Sequence, residues 1–70
     1  SALYVNKRAK GHGKILLDRL KSYYKYLQLW SHEFNNSAHN FYRREGFQFK
    51  NRKDRGSDGI PELQFEWIEK

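Results

Sequence analysis

The residues most suited to chemistry form the stretch Arg8-Ala9-Lys10-Gly11-His12-Gly13, two glycines spaced by one residue where a helical pattern begins. Glycines there let the backbone turn sharply and approach a ligand closely. The free N–H groups of a helix's first turn then favour an anion such as a pyrophosphate. Lys7, Arg8, Lys10 and Lys14 gather positive charge around the same point. Gly-x-Gly loops are common, and a plain flexible turn accounts for these residues equally well. His12, His32 and His39 stand at spacings that suit no usual zinc motif, so no metal site is expected from them. Asn35-Asn36-Ser37 has N-cap chemistry, and Ala38, Phe41 and Tyr42 share a face of the helix that would follow.

The elements that must position these residues can be read in order. Leu3-Tyr4-Val5 is a β-prone run, expected to be the tail of a strand that begins upstream. After the basic loop 7–14, Leu16, Leu17, Leu20, Tyr23 and Tyr24 fall on one helical stripe, with Asp18, Arg19, Lys21 and Ser22 on the other face. Lys25–Ser31 reads as an aromatic, Leu-rich strand, and Gly46 as the stop of the second helix. Phe47-Gln48-Phe49 alternates as a strand, Asn51–Pro61 as a mobile polar loop, and Leu63, Phe65 and Trp67 as one face of a last strand. The expected order is β-α-β-α-β-β: an α/β (α+β) chain with a mixed sheet, one domain over residues 1–70 and no internal repeat.

Composition narrows the class. Hydrophobic residues make up 37% of the 70, and aromatic residues 17%, which argues against disorder. No apolar run approaches the roughly 20 residues of a membrane helix, no signal-peptide pattern is present, and there is no Cys to form a disulfide or thiolate site. A soluble cytoplasmic unit is therefore expected. Apolar burial stabilises a chain of this size by on the order of 110 kcal/mol. Ordering it costs about 105 kcal/mol. Such a fold is marginal alone, or completes its core against another chain. The net charge of +6 also admits a nucleic-acid-binding domain, a weaker reading because the charge centres on a glycine loop where a pyrophosphate would equally want it.

Two motifs in sequence order give the chain a resemblance. Arg8-x-x-Gly11-x-Gly13 followed by Leu16-Leu17, and Asn35-x-x-Ala38-x-x-Phe41-Tyr42-x-x-x-Gly46-Phe47, resemble the two signatures of the GNAT superfamily of acetyl-CoA-dependent N-acetyltransferases. The second fixes several residue types over thirteen positions. The resemblance covers essentially the whole chain, but only the C-terminal half of that family's domain.

It implies that backbone N–H groups of Lys10, Gly11, His12, Gly13 and Lys14, with Arg8 nearby, hold the CoA pyrophosphate. Leu3 to Val5 would run beside the pantetheine arm, and Asn35 would reach the pantetheine or cap its helix. Tyr42 would be the acid that protonates the departing thiolate. A positioned acid contributes roughly 10²–10⁴-fold, and a phenol stays protonated until the sulfur acquires charge because its pKa lies above that of a thiol. Backbone donors near Val5 would stabilise the tetrahedral oxyanion. His32 and Glu33 are the candidates for the base that takes the amine's proton. Bulk specificity for the amine acceptor would reside in the absent N-terminal half. A homodimer, or association with that missing half, is expected to cover the open sheet edge. The non-enzymatic alternative is a truncated module that binds CoA or only self-associates.

Overall fold

The computed structural model describes residues 2–5, 13–56 and 58–70; of residues 2–5 it describes the backbone. The chain runs β1 (Ala2–Val5), α1 (Gly13–Tyr23), β2 (Tyr26–His32), α2 (Asn36–Arg44), β3 (Gln48–Lys53) and β4 (Glu62–Ile68), the expected order in a small α+β domain. The sheet is ordered β1-β2-β4-β3. β1 lies parallel to β2, with Val5 opposite Leu29, while β4 is antiparallel to both β2 and β3. No helix among the described residues is long and apolar enough to cross a membrane.

Alternation along β2 sends Leu27, Leu29 and Ser31 to one face, where they are fully buried. Phe65, opposite Leu29, joins them from β4. Leu17 of α1, Tyr42 of α2 and Phe47 close the same cluster, so both helices share that face of the sheet. The other face carries the remaining register positions, Tyr26, Gln28 and Trp30 of β2 against Ile68, Glu66 and Gln64 of β4. There the Tyr26 hydroxyl donates to Glu66, Gln64 donates to Gln28, and Lys53 stands over the Trp30 ring at 4.5 Å.

Two expectations need correction. The stripe of α1 is narrower than its apolar residues suggest. Leu17 is buried and Leu20 and Tyr24 pack on the core, but Leu16 is half exposed and Tyr23 is 82% exposed. Residues 16 and 23 lie seven apart, on a flank rotated about 100° from Leu17. A single layer of two helices buries only one stripe of each. Lys21, assigned by its charge to the solvent face, is instead half buried. Its ammonium lies 5.7 Å from the Phe47 ring centre and 5.4 Å from that of Trp67, and it donates to the Glu45 carbonyl. The stem covers apolar surface while the charge finds partners.

The third strand also begins and ends later than its aromatic residues imply. Phe47 precedes it as a buried core residue, and Asn51, Arg52 and Lys53 belong to it rather than to the polar loop. Pairing with β4 slips between Phe49 and Asn51, leaving Lys50 as the extra residue of a bulge. Every residue of β3 is exposed, which explains why an edge strand can be written in polar residues.

Candidate functional site

α1 begins at Gly13, which is buried: a Cβ there would lie 3.4 Å from the Phe41 ring. The start of α1 therefore rests on α2, one residue before Tyr42. Lys14, next along, extends toward the far end of the same helix. Its Nζ lies 3.3 Å from a Glu45 carboxylate oxygen and 3.5 Å from Asp18. The hydrogen bond to Glu45, helped by the charge of Asp18, raises the Lys14 pKa above its ordinary value and keeps the ammonium charged. Arg8, Lys10, Gly11 and His12 lie outside the described residues. Leu3 and Val5 are placed by the β1 backbone, which pairs with Leu27 and Leu29.

Asn35 is the N-cap of α2. Its Oδ1 accepts from the Ala38 backbone N–H at 3.3 Å and from the Ser37 hydroxyl at 3.2 Å, the capping chemistry its position suggests. Tyr42 is only 7% exposed. Its ring centre is 5.8 Å from those of Phe41 and Phe65 and 6.0 Å from that of Phe47, so the ring is held on several sides. The helix then ends in a paired stop: Gly46 N–H donates to the Arg43 carbonyl and Phe47 N–H to that of Tyr42, with Gly46 at φ +91°. Gly46-Phe47 thus fixes the far end of the helix whose start Asn35 fixes.

The two base candidates are both engaged. Glu33 pairs with Arg52 through contacts of 2.8 and 3.2 Å, and this bonding pulls its carboxyl below the usual range, which makes it a poorer proton acceptor. His32 Nε2 lies 2.6 Å from Asp58 Oδ2.

Three residues make contacts that the sequence did not indicate. His39 is buried, stacked on Phe65 with ring centres 5.2 Å apart, and its Nε2 lies 3.1 Å from the His32 carbonyl. Burial pushes its pKa below the ordinary histidine value. The position three residues before Tyr42 and one after Ala38 could have signalled a core-facing side chain. Ser31 Oγ is fully buried and has no hydrogen-bond partner among the described residues. Asp58, in the polar loop, carries no local signal of its contact with His32.

Compared with known proteins, the chain matches no protein-family model, no curated protein and no solved structure.

Proposed function

We propose that this chain is the CoA-binding half of a GNAT-type N-acetyltransferase, moving an acetyl group from acetyl-CoA to an amine by direct attack. The observation that supports the reading best is the contact between the two motifs. The last glycine of the phosphate-type loop packs on Phe41, beside Tyr42 of the second motif. A ligand whose phosphates sit on the loop could therefore extend toward the second helix. In this reading the amine nitrogen attacks the thioester carbonyl, the C–S bond breaks, and the Tyr42 phenol gives its proton to the thiolate. Solvent or a base of the acceptor side takes the proton lost by the amine. The acceptor side is supplied by a second copy or another segment, placed against the outer edge of β1, the end strand of the sheet among the described residues.

The second reading is a non-catalytic module of the same half, which binds CoA without transferring its acetyl group. The close packing of Tyr42 favours it, because a ring enclosed by Phe41, Phe47 and Phe65 has a sufficient reason to be there as core.

Calorimetric titration with acetyl-CoA tests the proposal. Binding that Gly11→Trp or Lys10→Glu abolishes, with circular dichroism unchanged, is the expected result. No binding at millimolar acetyl-CoA refutes both readings. Acetyl transfer to an amine panel that Tyr42→Phe reduces while binding persists selects the enzyme. Binding with no transfer to any amine selects the module.

A further inference from the structure

A second group of polar side chains lies at the end of the sheet where β2 finishes and β4 starts. His32 is the last residue of β2 and Glu62 the first of β4, and they are directly opposite in the antiparallel register, on the same face. Opposed positions bring side chains within direct reach of each other. The loop between β3 and β4 folds back over them. Gly56 N–H donates to the Ile60 carbonyl at 2.8 Å, Gly59 N–H to that of Gly56 at 3.0 Å, and Ile60 N–H to Asp58 Oδ1 at 3.2 Å. This curl puts Asp58 against His32. It also lays Gly56 on the Glu62 carboxyl so closely that a Cβ at residue 56 would stand 2.3 Å from Glu62 Cδ.

The result is one imidazole nitrogen and two carboxylate oxygens, from three separate segments, all within 4.8 Å of one another. Glu62 is buried at 4% exposure, whereas His32 and Asp58 remain open to solvent on one side. Three donors bound at 2.0–2.2 Å around a tetrahedral ion stand about 3.3–3.6 Å apart. The His32–Asp58 separation would have to open by under about 1 Å, and the widest pair to close by under about 1.5 Å. Both changes are within reach of side-chain rotation. One nitrogen and two oxygens suit a first-row transition dication rather than Mg²⁺ or Ca²⁺, which take oxygen ligands. A dication at this point is within reach of both carboxylates and the imidazole at once.

We propose that His32, Asp58 and Glu62 form a binding site for one divalent transition-metal ion of the zinc type, with a coordination position open to solvent. Binding releases any proton shared between His32 and Asp58 to the solvent. The site is independent of the acetyl-CoA reading, and nothing in the spacing of the histidines announced it, because two of its three ligands are carboxylates brought in by the fold.

The test titrates Zn²⁺ into the chain by calorimetry and Co²⁺ by visible absorption. The expected result is one ion per chain, with Co²⁺ bands of a four- or five-coordinate site. Asp58→Ala, on an exposed loop residue, and His32→Ala should each weaken Zn²⁺ at least tenfold and remove those bands. Glu69→Ala, past the opposite end of β4 from Glu62, should leave both unchanged. No binding to the wild type overturns the proposal. So do affinities that survive Asp58→Ala or His32→Ala, or that fall with Glu69→Ala.

Discussion

Gly46→Ala separates backbone conformation from packing at the most specific part of the second motif. Gly46 sits at φ +91°, where an L side chain costs about 1–2 kcal/mol. The nearest side-chain atom to a Cβ there would be Trp67 Cδ1 at 3.4 Å, an ordinary contact, so packing adds little. Alanine also stiffens the unfolded chain, which returns about 0.4–1 kcal/mol. The net loss is about 1 kcal/mol. A chain of this length has a total stability of only roughly 3.5–10 kcal/mol, so that loss is readily measured. With a urea slope near 1 kcal/mol/M, the midpoint should fall by about 1 M. The thermal midpoint should fall by about 4–8 °C.

The pattern across substitutions is more telling than the single value. Asn tolerates the left-handed region better than Ala although it is larger. If φ is the cause, stability runs Gly46, then Asn, then Ala, then Val. If crowding against Trp67 were the cause, Asn would be worse than Ala. Urea titrations should be followed by far-ultraviolet circular dichroism, since Trp67 fluorescence senses the mutated site directly. An alanine variant as stable as the wild type, or an asparagine variant less stable than alanine, refutes the assignment of Gly46 to a conformational stop.

The other predictions concern the cap, the buried histidine and the core. Asn35→Ala removes the acceptor of the Ala38 N–H and should cost about 0.5–1 kcal/mol in urea unfolding. Asn35→Asp keeps the cap and its stability, yet should weaken acetyl-CoA binding if Asn35 contacts the ligand; a parallel calorimetric titration reads the difference. His39 is held below its ordinary pKa of 6.5 by burial, so the unfolded chain binds its proton more readily than the folded one. Stability should be at its plateau above about pH 6.5 and fall as acid is added from pH 7 to 5.5, and His39→Leu should flatten that fall in thermal melts. Phe65→Ala removes the ring shared by His39, Tyr42 and Phe49 and should cost about 3–5 kcal/mol, a large share of the total stability, read as a fall in the urea midpoint of about 3 M or more or as outright unfolding by circular dichroism.

What could be read from the residues was whatever rests on local chemistry. Asn35 caps because its short side chain reaches back to the backbone it precedes. Gly46 stops a helix because it alone takes a left-handed φ cheaply, and Phe65 alternates into the core because strands place side chains two by two. The failures arise where a neighbour decides. Leu16 and Tyr23 belong to the helical stripe by period, yet two helices on one sheet face cannot enclose a stripe that wide. Asn51, Arg52 and Lys53 have loop residue types, and they form a strand because β4 supplies the hydrogen-bonding edge and solvent accepts their side chains. For the site, the Asn35 cap follows from its motif, whereas the packing of Gly13 on Phe41 does not, because it joins elements far apart in the sequence. The meeting of His32, Asp58 and Glu62 depends on a register and a loop fold that no spacing encodes.

Glu45 stands where α1 and α2 meet. Its carboxylate reaches Lys14 at 3.3 Å and Lys21 at 3.7 Å, so one acidic residue at the end of α2 meets two cations of α1. The two contacts differ in kind. Lys21 is half buried beside Phe47 and Trp67 and also donates to the Glu45 carbonyl, so it is part of how the helices pack. Lys14 is exposed, and its pair is screened by water and salt. An arriving pyrophosphate at the start of α1 would compete with Glu45 and Asp18 for the Lys14 ammonium, which their bonding keeps charged and ready. Releasing Lys14 leaves the Lys21 contact to hold the helices together. Glu45→Gln should accordingly strengthen an anion at the start of α1 by removing a competing charge, whereas a Lys14→Ala variant should weaken it; equal effects of the two on acetyl-CoA affinity would show that the anion does not meet Lys14.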